Sequence, residues 1–219
     1  MTVAATTAGS VTRLGARTDA CLPVLSASLR SVCGRDIPLH VDRWFDEPQP
    51  EERALLAAAI GPVLDVGCGP GRHVRALNAA GVAAVGLDQA PSAVALAERH
   101  GTPAILGSIF DPIASERRWA TALLLDGNVG IGGEPVRLLR RIHEVLRPGG
   151  RLLAEVEPPG GGSGPLRVRA ELAGEVTSPW FPWALVGADE IGHIGTEARF
   201  TVTEIRCDNR RWFARLEAR

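Results

Sequence analysis

The stretch Val63-Leu64-Asp65-Val66-Gly67-Cys68-Gly69-Pro70-Gly71-Arg72 decides the fold of this chain. Pro62 to Val66 is predicted to be a short buried strand, and it leads into three glycines spaced two residues apart. A helix is predicted directly afterwards, from Gly71 to Ala80. Glycine is needed where φ is positive or where a ligand lies against bare backbone, and a helix N-terminus offers free N–H groups. The stretch therefore predicts a strand, a ligand-binding loop and a helix in succession.

The segments that follow alternate between predicted strands and predicted helices. The further strands are predicted at Ala83–Leu87, Ala104–Leu106, Ala120–Leu125 and Arg151–Val156, and the helices at Ser92–His100 and Glu134–Leu146. Phe200–Ile205 and Trp212–Leu216 flank Asp208-Asn209, which predicts a C-terminal antiparallel hairpin. We therefore predict an α/β fold: a doubly wound, mostly parallel, seven-stranded sheet with helices on both faces.

Residues 1–50 are expected to form an N-terminal arm and a lid helix, and residues 51–219 one ligand-binding domain. The first twenty residues lack a hydrophobic stretch, so we do not expect a secretory signal. Asp19 is predicted to cap a helix that runs to about Cys33, with Leu22, Leu25 and Leu29 near one face. Together with Trp44 and Phe45, this helix is a candidate lid.

Composition restricts the possible functions. The net charge of -1 argues against a nucleic-acid partner, and the chain has no run of eighteen apolar residues, so we expect no membrane partner and a cytoplasmic location.

The four cysteines form no C-x-x-C pair, and no metal-ligand cluster is visible, so we expect metal-independent chemistry. The chain has no Lys and no Tyr, which excludes a lysine Schiff base and a tyrosine base. No feature of the sequence indicates an oligomeric state.

The residues around the glycines favour one of two ligand classes. A dinucleotide site needs G-x-G-x-x-G, but Arg72 stands in the third slot. Asp65 precedes the glycines, and its carboxylate would repel a pyrophosphate yet suit a cationic amino acid moiety. Asp88 lies about twenty residues beyond the loop, as ribose recognition requires. The pattern favours a sulfonium amino acid nucleoside over NAD.

The glycine stretch resembles the first motif of the Rossmann-like (class I) S-adenosylmethionine-dependent methyltransferases. Val85-Gly86-Leu87-Asp88 resembles their ribose-binding motif, and Gly107-Ser108-Ile109-Phe110-Asp111 falls where the family contacts adenine. Leu124-Leu125-Asp126-Gly127-Asn128 resembles the motif near the methionine part and the methyl acceptor, and Leu146-Arg147-Pro148-Gly149-Gly150 resembles the turn before the fifth strand. The resemblance covers roughly Glu51 to the C-terminus and is greatest to small methyltransferases of actinobacterial type.

The resemblance implies S-adenosyl-L-methionine as cofactor and a set of residues that bind it. These are Asp65, Gly67, Cys68, Gly69, Asp88, Gln89, Ser108, Ile109, Phe110, Asp126, Gly127 and Asn128. Cys68 is interpreted as a small loop residue and not as a nucleophile.

Candidate catalytic and substrate residues lie at strand ends and among the aromatic side chains. Glu157 closes the fifth strand and is the first candidate for a general base, with Asp126, which closes the fourth, as the second. His73, His100 and His143 lie in predicted helices and are expected at the surface. Trp44, Asn128, Trp180 and Trp183 are the candidate substrate residues, although the aromatic segment around Trp180 is equally compatible with a small core under a loop.

Methyl transfer to an oxygen, nitrogen or carbon atom of a small molecule is thus the predicted function. Two alternatives remain open: a non-catalytic S-adenosylmethionine-binding protein, and an NAD-type Rossmann oxidoreductase, which Asp65 and Arg72 oppose. Methyl transfer to RNA or protein is a fourth hypothesis. The nearly neutral net charge and the short chain count against it. The acceptor itself cannot be identified from the sequence.

Overall fold

The computed structural model of the chain describes residues 27–113 and 116–219. Its helices are α1 (Pro50–Leu56), α2 (Arg72–Ala79), α3 (Pro91–Arg99), α4 (Pro135–Val145) and α5 (Ile191–Glu197). Its strands are β1 (Ala27–Ser31), β2 (Asp36–Leu39), β3 (Val63–Val66), β4 (Ala84–Asp88), β5 (Ala104–Leu106), β6 (Trp119–Leu124), β7 (Leu146–Val156), β8 (Gly164–Leu172), β9 (Glu175–Val176), β10 (Phe181–Leu185), β11 (Phe200–Asp208) and β12 (Arg211–Ala218). Two 3₁₀ segments lie at Val41–Trp44 and Asn128–Gly133.

Seven strands form the main sheet in the order β11-β12-β7-β6-β3-β4-β5. The five strands from β7 to β5 pair in parallel, whereas β12 pairs antiparallel with both β7 and β11. Chain order reverses beside β3, so the carboxyl ends of β3 and β6 flank a crevice of the kind that binds ligands in open α/β sheets. The predicted α/β class, the seven strands and the C-terminal hairpin are confirmed.

Both faces of the main sheet are covered, as the sequence predicted. All six residues of β6 are buried, which explains why this strand is apolar apart from Thr121. Leu123 and Leu153 pack with Leu55 of α1 and Val74 of α2 on one face. The opposite face packs against α4, α5 and a second sheet through the residues Leu124, Leu152, Leu139, Ile191 and Val168. The sheet is therefore the middle layer and holds its strand ends rigidly.

The second sheet has the strand order β10-β8-β1-β2, with β9 added beside β8. Here the sequence prediction was wrong: residues 27–31, expected to end the lid helix, form strand β1, which pairs antiparallel with β8 and β2. The alternation of buried and half-buried residues in β1 fits a strand with one face on the core. The remainder of the predicted arm and lid helix, residues 1–26, lies outside the described residues.

Gly130, in the second 3₁₀ segment, allows the second sheet to dock against the rim of the main sheet. A Cβ on Gly130 would stand 2.7 Å from Nε1 of Trp183 on β10, closer than real contacts allow. A second link is the backbone of Glu157, whose N–H donates to the Val186 carbonyl at 2.8 Å. The second sheet thereby faces the carboxyl ends of β3, β6 and β7. No helix in the described ranges 27–113 and 116–219 is long and apolar enough to cross a membrane.

Candidate active site

A cavity of about 310 Å³ lies between the carboxyl ends of the parallel strands and the second sheet. The main sheet contributes the glycine loop, the Asp126–Asn128 turn and the end of β7. The second sheet and the adjoining 3₁₀ segment contribute β2, Trp44 and Trp183. A volume of this size is at the lower end of small-molecule pockets, and its position at the strand ends is where the sequence placed the site.

Gly67 and Asn128 hold the glycine loop against the end of β6. The Asn128 side-chain amide donates from Nδ2 to the carbonyls of Val66 and Gly67, both at 3.0 Å. Gly67 has φ +75°, and a Cβ there would lie 2.6 Å from the same Nδ2. Glycine is therefore required at this position for both its conformation and its contact. Since the amide donor group is occupied by the loop, the Asn128 Oδ1 oxygen remains as an acceptor beside the cavity.

Asp88 orders the same loop from the other side. Its Oδ2 accepts the Gly69 N–H at 2.9 Å, and its Oδ1 accepts the Ala90 N–H at 2.9 Å. The side chain is 2 % exposed and lies outside the cavity lining. The predicted ribose residue thus stands at the expected strand end, where it also fixes the loop conformation.

The predicted adenine-side residues lie next to Asp88 and not in the cavity lining. Gln89 donates from Nε2 to the Ser108 hydroxyl at 3.1 Å, and the Phe110 N–H donates to the same oxygen at 3.1 Å. The Ile109 side chain is 2 % exposed and belongs to the hydrophobic core. The cavity therefore spans the methionine end and the acceptor end of the predicted site, not the adenosine end.

Seven ionisable side chains form a cluster at the edge of the cavity, which we call the ion cluster: Glu52, Asp65, Arg72, His73, Asp126, Glu155 and Arg211. Arg72 donates to Glu52 and to Asp126 at 2.7–2.8 Å. Arg211 donates to Glu52 at 2.7 Å and to Glu155 at 2.7–2.8 Å. The cluster joins α1, α2, β6, β7 and β12, and so fixes the relative positions of the elements around the cavity.

His73 lies inside this cluster, which corrects the prediction of a surface position. It is 3 % exposed, because the start of α2 packs beneath α1. Its Nδ1 stands 3.7 Å from Asp65, and its Nε2 stands 3.8 Å from Glu52. Burial alone would lower the pKa of His73, but these two carboxylates raise it to about 9. The imidazole is therefore cationic at neutral pH.

The carboxylates of the ion cluster differ in how well they are paired. Burial would raise the pKa of the Glu52 carboxyl, but His73 and Arg72 hold it well below its usual range. Both oxygens of Asp126 accept from Arg72. Asp65, by contrast, is 1 % exposed and its Oδ2 has no hydrogen-bond partner within the described part of the chain. Asp65 therefore carries an unsatisfied acceptor beside the glycine loop.

Glu157 lies at the end of β7 and lines the cavity without belonging to the ion cluster. Burial raises the pKa of its carboxyl, which the charge of Arg35 partly opposes. No ion pair within 4 Å involves Glu157 among residues 27–113 and 116–219. Unlike Asp126, Glu157 is thus available to accept a proton from a molecule in the cavity.

Two of the three tryptophans predicted to contact substrate line the cavity. Trp44, in the first 3₁₀ segment, and Trp183, on β10, face the same space. Trp180 does not reach it: the ring is 37 % exposed and packs under the Arg169 guanidinium at 5.0 Å. The aromatic segment is strand β10 and its approach, so alternate residues point away from the cavity.

Cys68 behaves as the sequence predicted for a small loop residue. Its side chain is 7 % exposed, and burial raises the pKa of the thiol. A neutral thiol is a poor nucleophile. Cys68 therefore fills space behind the loop.

Sequence reasoning missed the cationic residues of the site. Arg35 and Arg43 line the cavity from the second sheet and the 3₁₀ segment beside it. Arg211, in the C-terminal hairpin, has a side chain that is 12 % exposed and lies within 4 Å of four carboxylates. The sequence did contain a signal for two further cationic residues, because Arg72 and His73 begin a helix directly after the ligand-binding loop.

Comparison with known proteins agrees with this geometry. Residues 63–150 match the family model for a methyltransferase domain. A search of the curated proteins gives no match. Among solved structures, an S-adenosylmethionine-dependent methyltransferase from Bacteroides fragilis, in complex with S-adenosyl-L-homocysteine, superposes with a TM-score of 0.71 at 24% identity over 89% of this chain and 88% of that one.

Two further solved structures share the fold. The 1,6-didemethyltoxoflavin-N1-methyltransferase from Burkholderia thailandensis, with bound 1,6-didemethyltoxoflavin and S-adenosylhomocysteine, has a TM-score of 0.59 at 22% identity over 82% of this chain and 83% of that one. The CcbJ methyltransferase from Streptomyces caelestis has a TM-score of 0.61 at 19% identity over 81% of this chain and 95% of that one.

Proposed function

We propose that the protein methylates an oxygen, nitrogen or carbon atom of a small molecule, because residues 63–150 match the methyltransferase-domain family and the chain shares the fold of an S-adenosylmethionine-dependent methyltransferase. When bound, S-adenosylmethionine supplies a methyl group already activated by a sulfonium. The chain's own residues then have three tasks: to hold the donor, to align the acceptor and, where the attacked atom carries a proton, to remove it.

The observation that carries the proposal is the buried Oδ2 oxygen of Asp65 beside the glycine loop, which has no hydrogen-bond partner in the described part of the chain and lies 3.7 Å from the His73 imidazole. Four carboxylates of the ion cluster face three cations, the guanidinium groups of Arg72 and Arg211 and the imidazolium of His73. The excess of negative charge favours a ligand with an ammonium and a sulfonium group, and it disfavours a pyrophosphate. Asp65 Oδ2 and Asn128 Oδ1 are the acceptors for the methionine ammonium in this proposal.

The adenosine part is assigned to the residues beyond the glycine loop. We assign the ribose hydroxyls to Asp88 with Gln89, and the adenine ring to Ser108, Ile109 and Phe110. This assignment rests on the position of these residues at the ends of β4 and β5, next to the loop. Gly67, Cys68, Gly69 and Gly127 provide the backbone surface against which the donor lies.

Glu157 is the base in this mechanism, in preference to Asp126. Asp126 is held by Arg72 and, at 3.5 Å, by Arg211, so we assign it the positioning of the loop at the end of β6. Glu157 has a pKa raised by burial and no ion-pair partner in the described ranges, which suits a group that takes up a proton. Methyl transfer from a sulfonium needs no metal ion. The described residues hold no group of three or more His, Cys, Asp or Glu side chains suited to bind one.

A small-molecule acceptor is supported by the size and the walls of the cavity. The volume of about 310 Å³ and the presence of Trp44 and Trp183 in the cavity wall suit a compact, flat ligand. The Burkholderia enzyme of the same fold has a small heterocycle bound. Nucleic acid or a protein segment is a poorer fit for a cavity of this volume.

The proposal is tested by native mass spectrometry and by turnover. The purified protein should carry or bind S-adenosylmethionine or S-adenosylhomocysteine in a one-to-one ratio. A panel of small-molecule acceptors, incubated with methyl-labelled S-adenosylmethionine with and without EDTA, should give labelled product at an equal rate in both. Donor binding without transfer to any acceptor would instead identify a non-catalytic binding protein, and NADH binding without donor binding an oxidoreductase.

A further inference from the structure

The cavity carries opposite charge at its two ends. The ion cluster at the methionine end has an excess of carboxylates, as described above. The acceptor end, bounded by β2, the Val41–Trp44 segment and β10, presents the guanidinium groups of Arg35 and Arg43, which outnumber the single carboxylate of the candidate base Glu157. Such a distribution selects a ligand whose own charges are arranged in the reverse order.

Arg43 is the more informative of these two cations. It is half-buried, and its side chain has neither a hydrogen bond nor an ion pair to any residue that the structure describes. A guanidinium carries five N–H donors in a planar fork that matches a carboxylate. The Arg43 guanidinium is partly desolvated, faces the cavity and has no partner among the described residues. It is therefore suited to bind an anion.

Arg35 lies on the same side of the cavity. It precedes β2 and, by strand alternation, shares a face with Ile37 and Leu39, which pack on the core. One of its nitrogens donates to the Gly161 carbonyl at 3.0 Å, which holds the side chain across the loop after β7. Its charge also acts on Glu157, but no carboxylate of the described residues lies within ion-pair distance of it. Its neighbour Asp36 does not cancel this charge, because Asp36 pairs with Arg30 at 2.9 Å.

The walls between the two charged ends are apolar and aromatic. Leu29, Leu39 and Leu185 line the cavity with Trp44 and Trp183. We propose that the methyl acceptor is a flat, apolar or aromatic molecule that bears a carboxylate, and that Arg43, assisted by Arg35, binds this carboxylate while the ring lies between the tryptophans. This inference rests on the proposed function, since it names the acceptor class of the same site.

The test compares acids with their uncharged isosteres. Benzoate, naphthalene-2-carboxylate and indole-3-acetate are each titrated beside the matching carboxamide, with and without saturating S-adenosylhomocysteine. At least one acid should bind the wild-type protein tenfold or more tightly than its amide. In Arg43→Gln this preference should disappear, and in Arg35→Gln it should fall in part.

Arg167→Gln is the matched control. Arg167 lies on β8 of the same sheet, is exposed, has no ion pair among the described residues and does not line the cavity. It should keep the wild-type preference for the acid. The inference is overturned if no acid binds more tightly than its amide, or if Arg167→Gln weakens the preference as much as Arg43→Gln does.

The two proposals fail in different ways. S-adenosylhomocysteine binding is measured on its own in every variant, and its absence from the wild-type protein would contradict the proposed function whatever the acids do. Normal S-adenosylhomocysteine binding combined with equal affinities for acids and amides would contradict only the acceptor class.

Discussion

Glu52 on α1 and Arg72 at the start of α2 form a bidentate pair in which Nη1 and Nη2 each donate to a different carboxylate oxygen at 2.7 Å. Their side chains are 0 % and 3 % exposed. Removal of one partner of a buried pair leaves a charge without compensation, which is more costly than the pair is stabilising. The pair therefore ties α1 to the helix that follows the glycine loop.

Arg72→Gln should destabilise the fold strongly. We expect the free energy of unfolding to fall by about 3 kcal/mol, at the lower end of the range for broken buried pairs, because Arg211 and His73 remain near Glu52. Urea denaturation measures this change. Arg137→Gln, which breaks an exposed pair with Glu134, is the control and should change stability by about 0.5 kcal/mol or less. Equal effects of the two substitutions would show that the buried pair has no special role.

His73 should make stability depend on pH. Its pKa is raised from 6.5 to about 9 in the folded protein, so its contribution is complete below pH 6.5 and is lost as the pH rises through 9. The loss amounts to roughly 3 kcal/mol. Unfolding measured from pH 6 to pH 9.5 should show this decline in the wild-type protein and in His193→Gln, which alters an exposed histidine. In His73→Gln the decline should be absent, and its persistence there would refute the assignment.

Gly67→Ala should impair donor binding. A Cβ at φ +75° would be strained and would displace the Asn128 amide from the loop carbonyls. We expect the Kd for S-adenosylhomocysteine, measured by calorimetry, to rise at least tenfold. Gly81→Ala is the matched control, because Gly81 has φ +79° but no atom within 4 Å of its Cβ position. Gly81→Ala should lower stability somewhat and keep the wild-type affinity. An equal loss of affinity in both variants would show that backbone strain alone, and not the Asn128 contact, accounts for the effect of Gly67→Ala.

Glu157→Gln should slow methyl transfer without weakening donor binding. We expect kcat to fall by about 10²-fold, a typical effect of removing a general base. In the wild-type enzyme the rate should rise with pH as Glu157 ionises, above the usual range of a glutamate because burial raises its pKa. In Glu157→Gln this rise should vanish, while Glu98→Gln, on the exposed side of α3, keeps it. An unchanged pH profile in Glu157→Gln would remove Glu157 from the mechanism.

The local parts of the fold could be predicted from the sequence. The buried strand β3, the glycine loop and α2 follow one another within the stretch from Val63 to Ala79, and the strand–helix alternation fixes the parallel sheet. The C-terminal hairpin has its turn residues between two strands that alternate. In each case neighbours in the sequence are also neighbours in space.

The second sheet and the ion cluster could not be predicted in the same way. Strand β1 pairs with β8, so Leu29 lies opposite Ala170. In the sequence alone, the spacing of Leu29 from Leu22 and Leu25 resembles that of a helix. The ion cluster brings Glu52 to Arg211, at opposite ends of the described chain. Such contacts depend on the completed fold, and for the same reason the cationic acceptor end has no signal in the local sequence.

Calorimetric titration of the wild-type protein with S-adenosylhomocysteine, followed by NADH, tests the central claim most directly. The site described here predicts one-to-one binding of S-adenosylhomocysteine in the micromolar range, a loss of at least tenfold in Asp65→Asn, and no heat from NADH. The absence of S-adenosylhomocysteine binding at millimolar concentration, or binding of NADH in its place, would contradict the assignment of the glycine loop to the methyl donor.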